Sequence, residues 1–579
     1  MRLVVEHRYG GILIPVFAIR TSDDLGIGDT AGVRALLDWC EAHGLQILQT
    51  LPIHELGEDF SPYNAISARA LEYGTLDLRP GTVPDLDPVT WEAVLREVDM
   101  EGLRAGPVDY ETVRALKLRL LEEAYANFCR REWEPETARA LAFRRFCEEE
   151  ADWLEDYAWF RVLMEENDGS ASWEDWPAEH RSPDRARQWL ETLPGTRQEA
   201  LADRHRFFCY VQWLAHQQWL GVREDAERRG VALMGDLPYG VARASADVWA
   251  KQHLFDLEWS GGAPPETTFR SDPFVEKWGQ NWGIPNYRWE EHRREDYAWW
   301  RQRVRHLTRY FHAYRVDHVL GFFRIYSFPW VPERNDEFVD LTPEEAARRT
   351  GGRLPRFLPF PDDTPEHRAA NQAHGEALLR MLQEASGPAT IVAEDLGWVP
   401  EYVPESLRRL GIPGFRIPMF CREPDGRYTD PKRYPRLSLV QPASHDHPPL
   451  AARWLELWAA ADNGDAGARR ELEYLMEFAG LPGVPPPRAY TPHVQEGLLR
   501  AVFGAASYLA VVLLDDVLAL ATRYNRPGTR SEENWTARLP WTVEALGRDP
   551  VAVAHGHRLQ RLLAETGRLG VPVVAARAI

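Results

Sequence analysis

Three acidic residues follow apolar, strand-like runs of the sequence, and their type and position could carry chemistry. Asp317, Glu394 and Asp446 come after runs that begin at residues 314, 390 and 437. A buried strand is apolar, so carboxylates that collect at its carboxyl end need a reason. In a parallel α/β barrel this end is the mouth of the active site. Two or three carboxylates that converge there indicate chemistry on a glycosidic bond.

Two of the carboxyl groups are expected to differ in protonation. Retaining glycoside chemistry needs an ionised nucleophile and a protonated carboxyl about 5–5.5 Å away. Arg315 lies two residues before Asp317, so both side chains project from one face of the strand, and the guanidinium favours an ionised Asp317. Glu394 leaves an apolar run beside Asp395, and partial desolvation there favours its protonated form.

The third carboxylate lies between two histidines. Asp446, flanked by His445 and His447, is expected to bind sugar hydroxyls and to stabilise positive charge at the anomeric carbon. A metal site built from the same three residues is the alternative, but neighbours on an extended segment point to opposite sides. Taken singly, a strand-end Asp is also a common helix N-cap, and an Arg-x-Asp pair is often a structural ion pair. Three strand ends that each carry an acidic residue, all on one face of a barrel, favour a catalytic role.

These residues need parallel strands to position them, and the sequence contains suitable runs. Several of the runs are nearly continuously apolar, as in strands covered on both faces. Amphipathic stretches with helical spacing separate them, which predicts parallel βαβ units and a (β/α)₈ barrel. The eight predicted strands are Gly11–Ile19, Leu45–Ile53, Val231–Leu237, Phe311–Val316, Thr390–Ala393, Phe415–Phe420, Leu437–Val440 and Leu509–Leu514.

The spacing between the predicted strands is uneven, which predicts insertions in a single catalytic barrel that spans residues 1–579. Residues 74–229 follow strand two and are rich in helical patterns, so we expect a mostly helical insertion subdomain. Smaller insertions are expected after strands three, four and seven. Residues 249–301 are interpreted as a loop insertion beside the substrate groove, and residues 448–501 as a helical insertion.

Composition narrows the class of protein. The 579 residues carry a formal net charge of −20, which disfavours nucleic acid and anionic membranes as partners. No segment is typical of a membrane span, and the amino terminus lacks the apolar core of a signal peptide. Five scattered cysteines without a C-x-x-C motif indicate reduced thiols in a cytoplasmic protein. There is no P-loop and no G-x-S-x-G motif.

Aromatic residues support a sugar ligand. The sequence has 23 Trp, and flat rings stack on pyranose faces. Trp278, Trp282, Tyr287 and Trp289 cluster in what is interpreted as one irregular loop. Because a loop position favours binding over core packing, we expect these four side chains to face the ligand.

Short motifs along most of the chain match one known family. The sequence resembles the amylomaltases, or 4-α-glucanotransferases (disproportionating enzymes), of the α-amylase-like barrel clan. Individually some motifs are short, but together and in this order they are specific. They are Gly26-Ile-Gly28-Asp29, Leu48-Gln-Thr-Leu-Pro52, Ser61-Pro-Tyr63-Asn-Ala-Ile-Ser67, Gly235-Asp236-Leu-Pro238, Ser245-Ala-Asp-Val-Trp249, Gly262-Ala-Pro-Pro265, Arg315-Val-Asp317-His318-Val-Leu-Gly321, Ala393-Glu394-Asp395-Leu-Gly397, Gly411-Ile-Pro-Gly414-Phe-Arg416, Asn525-Arg-Pro-Gly528-Thr and Asn534-Trp535-Thr-Ala-Arg538.

The resemblance implies a role for each matching residue. It implies that Asp317 is the nucleophile, Glu394 the general acid/base and Asp446 the carboxylate that grips sugar hydroxyls. The residues that it implies as support for the cleavage subsite or as lining of the sugar groove are Arg315, His318, His445, Asp395, Tyr63, Trp282 and Asn525.

The resemblance also implies an activity. A glycosyl-enzyme would pass its glycosyl group to the 4-hydroxyl of another glucan, with maltooligosaccharides and α-glucans as ligands and without a metal or organic cofactor. A hydrolase of the same clan and a non-catalytic glucan-binding protein are the alternatives. A monomer and a homodimer are both compatible with the sequence.

The chain departs from the family pattern in three motifs. The usual Thr-His-Asp-Asn is replaced by Ser444-His-Asp-His447, and the usual Trp-Gly-Asn-Pro by Trp282-Gly-Ile-Pro285. The usual Pro-Pro-Asp is replaced by Pro264-Pro-Glu266. The region between strands four and five is also longer. We therefore expect acceptor binding, chain-length preference and the balance of transfer over hydrolysis to differ from those of relatives.

Overall fold

Eight parallel strands close into a barrel, and four further strands form a separate antiparallel sheet. The computed structural model describes residues 2–265, 272–527 and 531–570, so Glu266 and Gly528 of the motifs above lie outside the described residues. Within this part of the chain the strands are β1 (Tyr9–Leu13), β2 (Ile47–Gln49), β3 (Ala232–Leu237), β4 (Phe255–Ala263), β5 (Gln280–Tyr287), β6 (Ala313–Val316), β7 (Ile325–Phe328), β8 (Arg356–Leu358), β9 (Thr390–Ala393), β10 (Gly414–Arg416), β11 (Ser438–Val440) and β12 (Leu509–Leu513).

The barrel strands follow the circular order β1, β12, β11, β10, β9, β6, β3 and β2, and each neighbouring pair is parallel. Each predicted strand overlaps one of them, which confirms the (β/α)₈ fold. The first and sixth strands end early, at Leu13 and Arg416, ahead of Pro15 and Pro418. Proline has no N–H for strand pairing, which accounts for both differences.

Helices connect the strands, as the alternation predicts. None of them is both long and apolar enough to cross a membrane, within the ranges that the structure describes. The α-helices are α1 (Thr30–Ala42), α2 (Pro88–Leu95), α3 (Met100–Ala105), α4 (Tyr110–Phe128), α5 (Ala138–Glu149), α6 (Ala151–Glu166), α7 (Pro183–Thr192), α8 (Gly195–Arg229), α9 (Ala246–Ala250), α10 (Pro273–Trp278), α11 (Trp289–Arg294), α12 (Ala298–Leu307), α13 (Leu320–Phe323), α14 (Pro343–Arg349), α15 (Pro365–Ser386), α16 (Tyr402–Leu410), α17 (Leu450–Asp462), α18 (Ala466–Phe478), α19 (Pro492–Phe503), α20 (Leu514–Leu518), α21 (Val543–Leu546) and α22 (Pro550–Glu565).

Seven helices, α2 to α8, occupy the long spacing between β2 and β3. The last of them, α8, contacts both α1 and α6, so it returns the chain to the barrel wall. It ends where Gly230 adopts a left-handed conformation with φ 68°, which glycine accepts without a steric penalty. The division of the chain into a barrel and insertion subdomains stays a prediction.

The antiparallel sheet has the order β5, β4, β7 and β8. It contradicts the irregular loop predicted around Trp278, Trp282, Tyr287 and Trp289, which lie within residues 249–301. Strands β4 and β5 lie within that range and pair with each other. Trp278 is buried at the end of α10 and donates to the carbonyl of Phe338, and Tyr287 is also buried. The prediction that these two aromatic side chains face a ligand is therefore wrong, because they pack into core clusters.

Trp282 and Trp289, the other two aromatic residues of that group, have different environments. Trp289 is half-buried against the main core, and Trp282 is 39% exposed on β5. Of the four predicted binding aromatics, only Trp282 is well exposed.

Candidate active site

Asp317, Glu394 and Asp446 line one groove at the carboxyl ends of the barrel strands. Asp317 follows β6, Glu394 follows β9, and Asp446 lies six residues beyond β11. Strands β6 and β9 are neighbours in the barrel, with Val316 beside Ala393 in register. The parallel register therefore brings the first two carboxyl groups to the same level of the barrel mouth.

The buried Arg315 guanidinium connects the acidic groups of the site. Its Nη2 lies 2.7 Å from Asp317 Oδ1 and 3.8 Å from Glu394 Oε2. Its Nη1 donates to Asp236 Oδ2 at 2.8 Å and to Oδ1 at 3.0 Å. The close pairing with Asp317, predicted from the two-residue spacing, fixes the orientation of this carboxylate.

Glu394 is held in the protonated form near neutral pH. Burial raises its pKa to about 8, the negative charge of Asp317 adds to this effect, and the charge of Arg315 opposes it. The backbone N–H of His318 donates to Glu394 Oε2 at 2.8 Å, and that of Leu396 donates to Oε1 at 3.1 Å. These two donors fix the orientation of the carboxyl group.

His318 adopts an unusual backbone conformation to make this contact. Its φ of 42° lies in the left-handed region, which costs a non-glycine residue free energy and persists where the surroundings enforce it. Trp282 packs against the imidazole edge to face, with ring centroids 4.8 Å apart. Burial lowers the pKa of His318 to about 4, so its imidazole is neutral at physiological pH.

Asp446 is ionised and oriented by two neighbours. Asn525 donates from Nδ2 to Asp446 Oδ1 at 2.7 Å, and His445 Nε2 lies 3.1 Å from Oδ2. Burial opposes the charged form, but His445 and the Asn525 amide outweigh it and hold the pKa of Asp446 below its usual range. A fixed carboxylate with free lone pairs is well suited to accept hydrogen bonds from sugar hydroxyls.

Tyr63 completes the wall of the site on the side of β2 and β3. Its ring stacks on His445 with centroids 4.9 Å apart and an interplanar angle of 15°. Its hydroxyl donates to Asp236 Oδ2 at 2.7 Å. Sequence reasoning gave Asp236 no role, although it sits inside a quoted motif near the end of β3. That position at a strand end was the signal that could have revealed it.

Asp236 is a buried carboxyl beneath the site. Burial raises its pKa to about 6, while the charge of Arg315 opposes this shift. Because it engages Arg315 and Tyr63 at once, it fixes both side chains that face the nucleophile. It acts through these neighbours and is a positioning residue.

Asp395 lines the groove but its carboxylate is engaged elsewhere. Oδ1 accepts the backbone N–H of Phe415 at 2.6 Å, and Oδ2 lies 3.5 Å from Arg416 Nη1. Both partners belong to β10. The carboxylate therefore ties the loop after β9 to the next strand.

The altered motif after β11 forms its own contacts. The Oγ of Ser444 lies 2.8 Å from His447 Nδ1, and the backbone N–H of Asp446 donates to the same oxygen at 3.3 Å. Burial lowers the pKa of His447 to about 4. No group of three or more metal-ligating side chains arranged to hold an ion occurs in the described part of the chain.

The comparison with known families agrees with this geometry. A family described as 4-alpha-glucanotransferase matches residues 14–543. The chain belongs to this family. The resemblance inferred from the motifs is therefore confirmed.

Other members of the 4-alpha-glucanotransferase family match along most of their length. The chain is 31% identical to the 4-alpha-glucanotransferase of Chlamydia pneumoniae over 553 residues, covering 93% of this chain and 92% of that protein. It is 30% identical to the 4-alpha-glucanotransferase of Thermus thermophilus, covering 93% and 94%. The amylomaltase of Streptococcus agalactiae, solved in complex with acarbose, superposes with a TM-score of 0.74 at 22% identity and covers 97% of this chain and 100% of that one. That likeness supports the fold.

Proposed function

We propose that this 4-alpha-glucanotransferase transfers a segment of an α-1,4-glucan from a donor to the 4-hydroxyl of an acceptor through a covalent glycosyl-enzyme. The family assignment favours transfer over hydrolysis by a related enzyme. One observation carries the residue roles: Arg315 pairs with Asp317 at 2.7 Å, while Glu394, directly after the neighbouring strand β9, is held protonated. An ionised and a protonated carboxyl side by side are what a retaining mechanism uses.

In the first half-reaction Asp317 is the nucleophile. One of its carboxylate oxygens forms a bond to the anomeric carbon while the bond from that carbon to the glycosidic oxygen breaks. Glu394 gives its proton to the departing oxygen, which leaves as the 4-hydroxyl of the released fragment. The enzyme then holds the remaining glucan as an ester of Asp317, and Glu394 is ionised.

In the second half-reaction Glu394 acts as the base. It takes the proton from the 4-hydroxyl of the acceptor, and the acceptor oxygen attacks the anomeric carbon. The ester bond to Asp317 breaks, so both carboxyl groups return to their starting states. Each half-reaction inverts the anomeric carbon, and the two together retain its configuration.

Asp446 and its neighbours are proposed to hold the reacting sugar. The Asp446 carboxylate accepts hydrogen bonds from ring hydroxyls, and its charge stabilises the positive charge that develops at the anomeric carbon. Asn525 and His445 keep it ionised and fixed, and Tyr63 closes the same side of the pocket. The scheme needs no metal or organic cofactor.

We also propose a reducing, cytoplasmic setting with maltooligosaccharides and larger α-glucans as donors and acceptors. Support for the setting comes from the five cysteines, all of which are free. Monomer and homodimer both fit the proposal.

The product profile from maltotriose tests the proposed reaction. Transfer predicts glucose together with maltooligosaccharides longer than maltotriose. Glucose and maltose without any longer product would instead identify a hydrolase. Chromatography of the reaction mixture at several times distinguishes the two outcomes.

A further inference from the structure

A row of three aromatic side chains lies along the groove beyond the carboxyl groups. Tyr326 on β7 and Phe357 on β8 form a cross-strand pair, with ring centroids 5.2 Å apart. Trp398, on the loop after β9, meets Phe357 edge to face at 5.9 Å. All three line the same groove as Asp317 and Glu394, and we call them the aromatic row.

Trp398 is the most exposed of the three. It is 67% exposed, whereas Tyr326 and Phe357 are half-buried. Single exposed aromatic residues are common on protein surfaces and need no explanation. Trp398 differs from that case because it continues a row of rings that lines the site.

The row is held by buried polar contacts. The guanidinium carbon of Arg324 lies 3.6 Å from the centre of the Phe357 ring, and its Nε lies 2.7 Å from Asp362 Oδ2. Tyr402, at the start of α16, donates its hydroxyl to the same carboxylate at 3.1 Å. Arg324 is buried, so a cation–π contact and an ion pair fix Phe357 from behind. A supported ring loses little conformational freedom when a ligand stacks on the row.

The backbone also directs Trp398 into the groove. Gly397 precedes it with φ 96°, a conformation that favours glycine, so the loop turns sharply after Asp395. Trp398 lies four residues beyond Glu394, which places their Cα atoms within about 14 Å of each other. A short oligosaccharide that starts at the cleaved bond can therefore reach the row.

The row lies on the Glu394 side of the groove. Tyr63, His445, Asp446 and Asn525 enclose the reacting sugar from loops after β2, β11 and β12. The row comes instead from loops and strands after β6 and β9, on the side of the proton donor Glu394. In the proposed mechanism the proton donor faces the leaving oxygen, so the glucan beyond it is expected to extend toward these strands.

We infer that the aromatic row is a distal binding subsite for the outer glucose units of an acceptor or leaving α-glucan, with Trp398 as its stacking platform. The inference rests on the proposed function for the identity of the ligand. A pyranose presents an apolar face of C–H groups, and stacking removes that face and the exposed indole from water. The subsite gives longer chains an additional contact and sets a preference for chain length.

Titration calorimetry with maltoheptaose and maltose tests the subsite. The Asp317→Asn protein is the background, because it is expected to bind glucans without turning them over. Adding Trp398→Ala is expected to raise the Kd of maltoheptaose about 10-fold. The Kd of maltose is expected to change far less, because a disaccharide that spans the cleavage point has only one glucose unit on the side of the row. Trp398→Phe keeps a ring and is expected to restore most of the affinity.

Phe360→Ala is the matched control. Phe360 is 39% exposed and stacks on His367, but it does not line the groove, so its removal is expected to leave both Kd values unchanged. An unchanged Kd of maltoheptaose in the Trp398→Ala variant would overturn the inference, and so would an equal loss for maltose. The titration needs no turnover, so failure of the proposed function appears separately, as the absence of elongated products from maltotriose with the wild-type enzyme.

Discussion

At the scale of residues, the site depends on one guanidinium that lies at unequal distances from Asp317 and Glu394. Arg315 lies 2.7 Å from Asp317 but 3.8 Å from Glu394. The closer carboxylate receives most of the compensating charge, while burial dominates at Glu394 and favours its neutral form. The two chemically similar side chains thus lie in different environments, as their proposed roles require.

The first prediction concerns the pH dependence of donor cleavage. Glu394 must be protonated to release the leaving oxygen, and its pKa is raised to about 8, so kcat/KM is expected to fall as the pH rises through about 8. The decline approaches about tenfold per pH unit. Initial rates with maltotriose between about pH 6 and about pH 10 measure it. In the Glu394→Gln variant, assayed with α-maltosyl fluoride, whose leaving group needs no acid, this alkaline limb should be absent.

The sequence predicted the pairing of Arg315 with Asp317 and the protonated form of Glu394, but it missed Asp236. Arg315 and Asp317 are two residues apart, so strand geometry alone brings them to one face. The contacts of Asp236 come instead from Tyr63 and Arg315, which are 173 and 79 residues away in the chain. Only the closure of the barrel makes these distant residues neighbours.

At the scale of elements, the loop after β12 joins the barrel to the helical region between β2 and β3. This loop carries Asn525, the donor to Asp446. Tyr110 of α4 donates its hydroxyl to the carbonyl of Trp535 at 2.7 Å, and Val108 N–H donates to the carbonyl of Thr536 at 2.8 Å. The helical region therefore anchors a loop that orients the third carboxylate.

The second prediction tests this anchor. Tyr110→Phe removes the hydrogen bond to Trp535 and is expected to raise the KM for maltotriose about 3–10-fold, which corresponds to the loss of one buried hydrogen bond. Tyr125→Phe is the control, because Tyr125 lies on the same helix and its hydroxyl donates to Asp203. Equal KM values for the two variants would argue against a role of the anchor in binding.

The antiparallel sheet of β4, β5, β7 and β8 was not predicted from the sequence. Its strands contain Gly261, Gly262, Gly283 and Pro285, and such residues weaken the alternating pattern that reveals a strand. Register shifts between β4 and β5 confirm that the pairing is irregular. The barrel strands were predictable because they are buried on both faces and nearly continuously apolar.

At the scale of the whole molecule, the formal net charge of −20 is compatible with a neutral ligand. The acidic groups of the site are paired with Arg315, His445 and Asn525, and these partners compensate part of their negative charge. The net charge of the protein therefore neither attracts nor repels an uncharged glucan at long range.

The third prediction follows from this charge. Because the substrate is neutral, the KM for maltotriose is expected to change less than about 2-fold between about 50 mM and about 500 mM NaCl. Initial rates at a fixed pH measure this. A steep dependence of KM on salt would instead indicate a charged substrate.

The covalent intermediate gives the most direct test of the account. The Glu394→Gln variant is mixed with α-maltosyl fluoride, which can form the ester without an acid, while the missing base slows its transfer to an acceptor. Intact-protein mass spectrometry is expected to show the addition of one maltosyl group, and peptide mapping is expected to place it on Asp317. The Asp317→Asn, Glu394→Gln double variant should show no such addition. An adduct on another residue, or an unmodified Glu394→Gln protein that still releases fluoride, would contradict the assignment of Asp317 as the nucleophile.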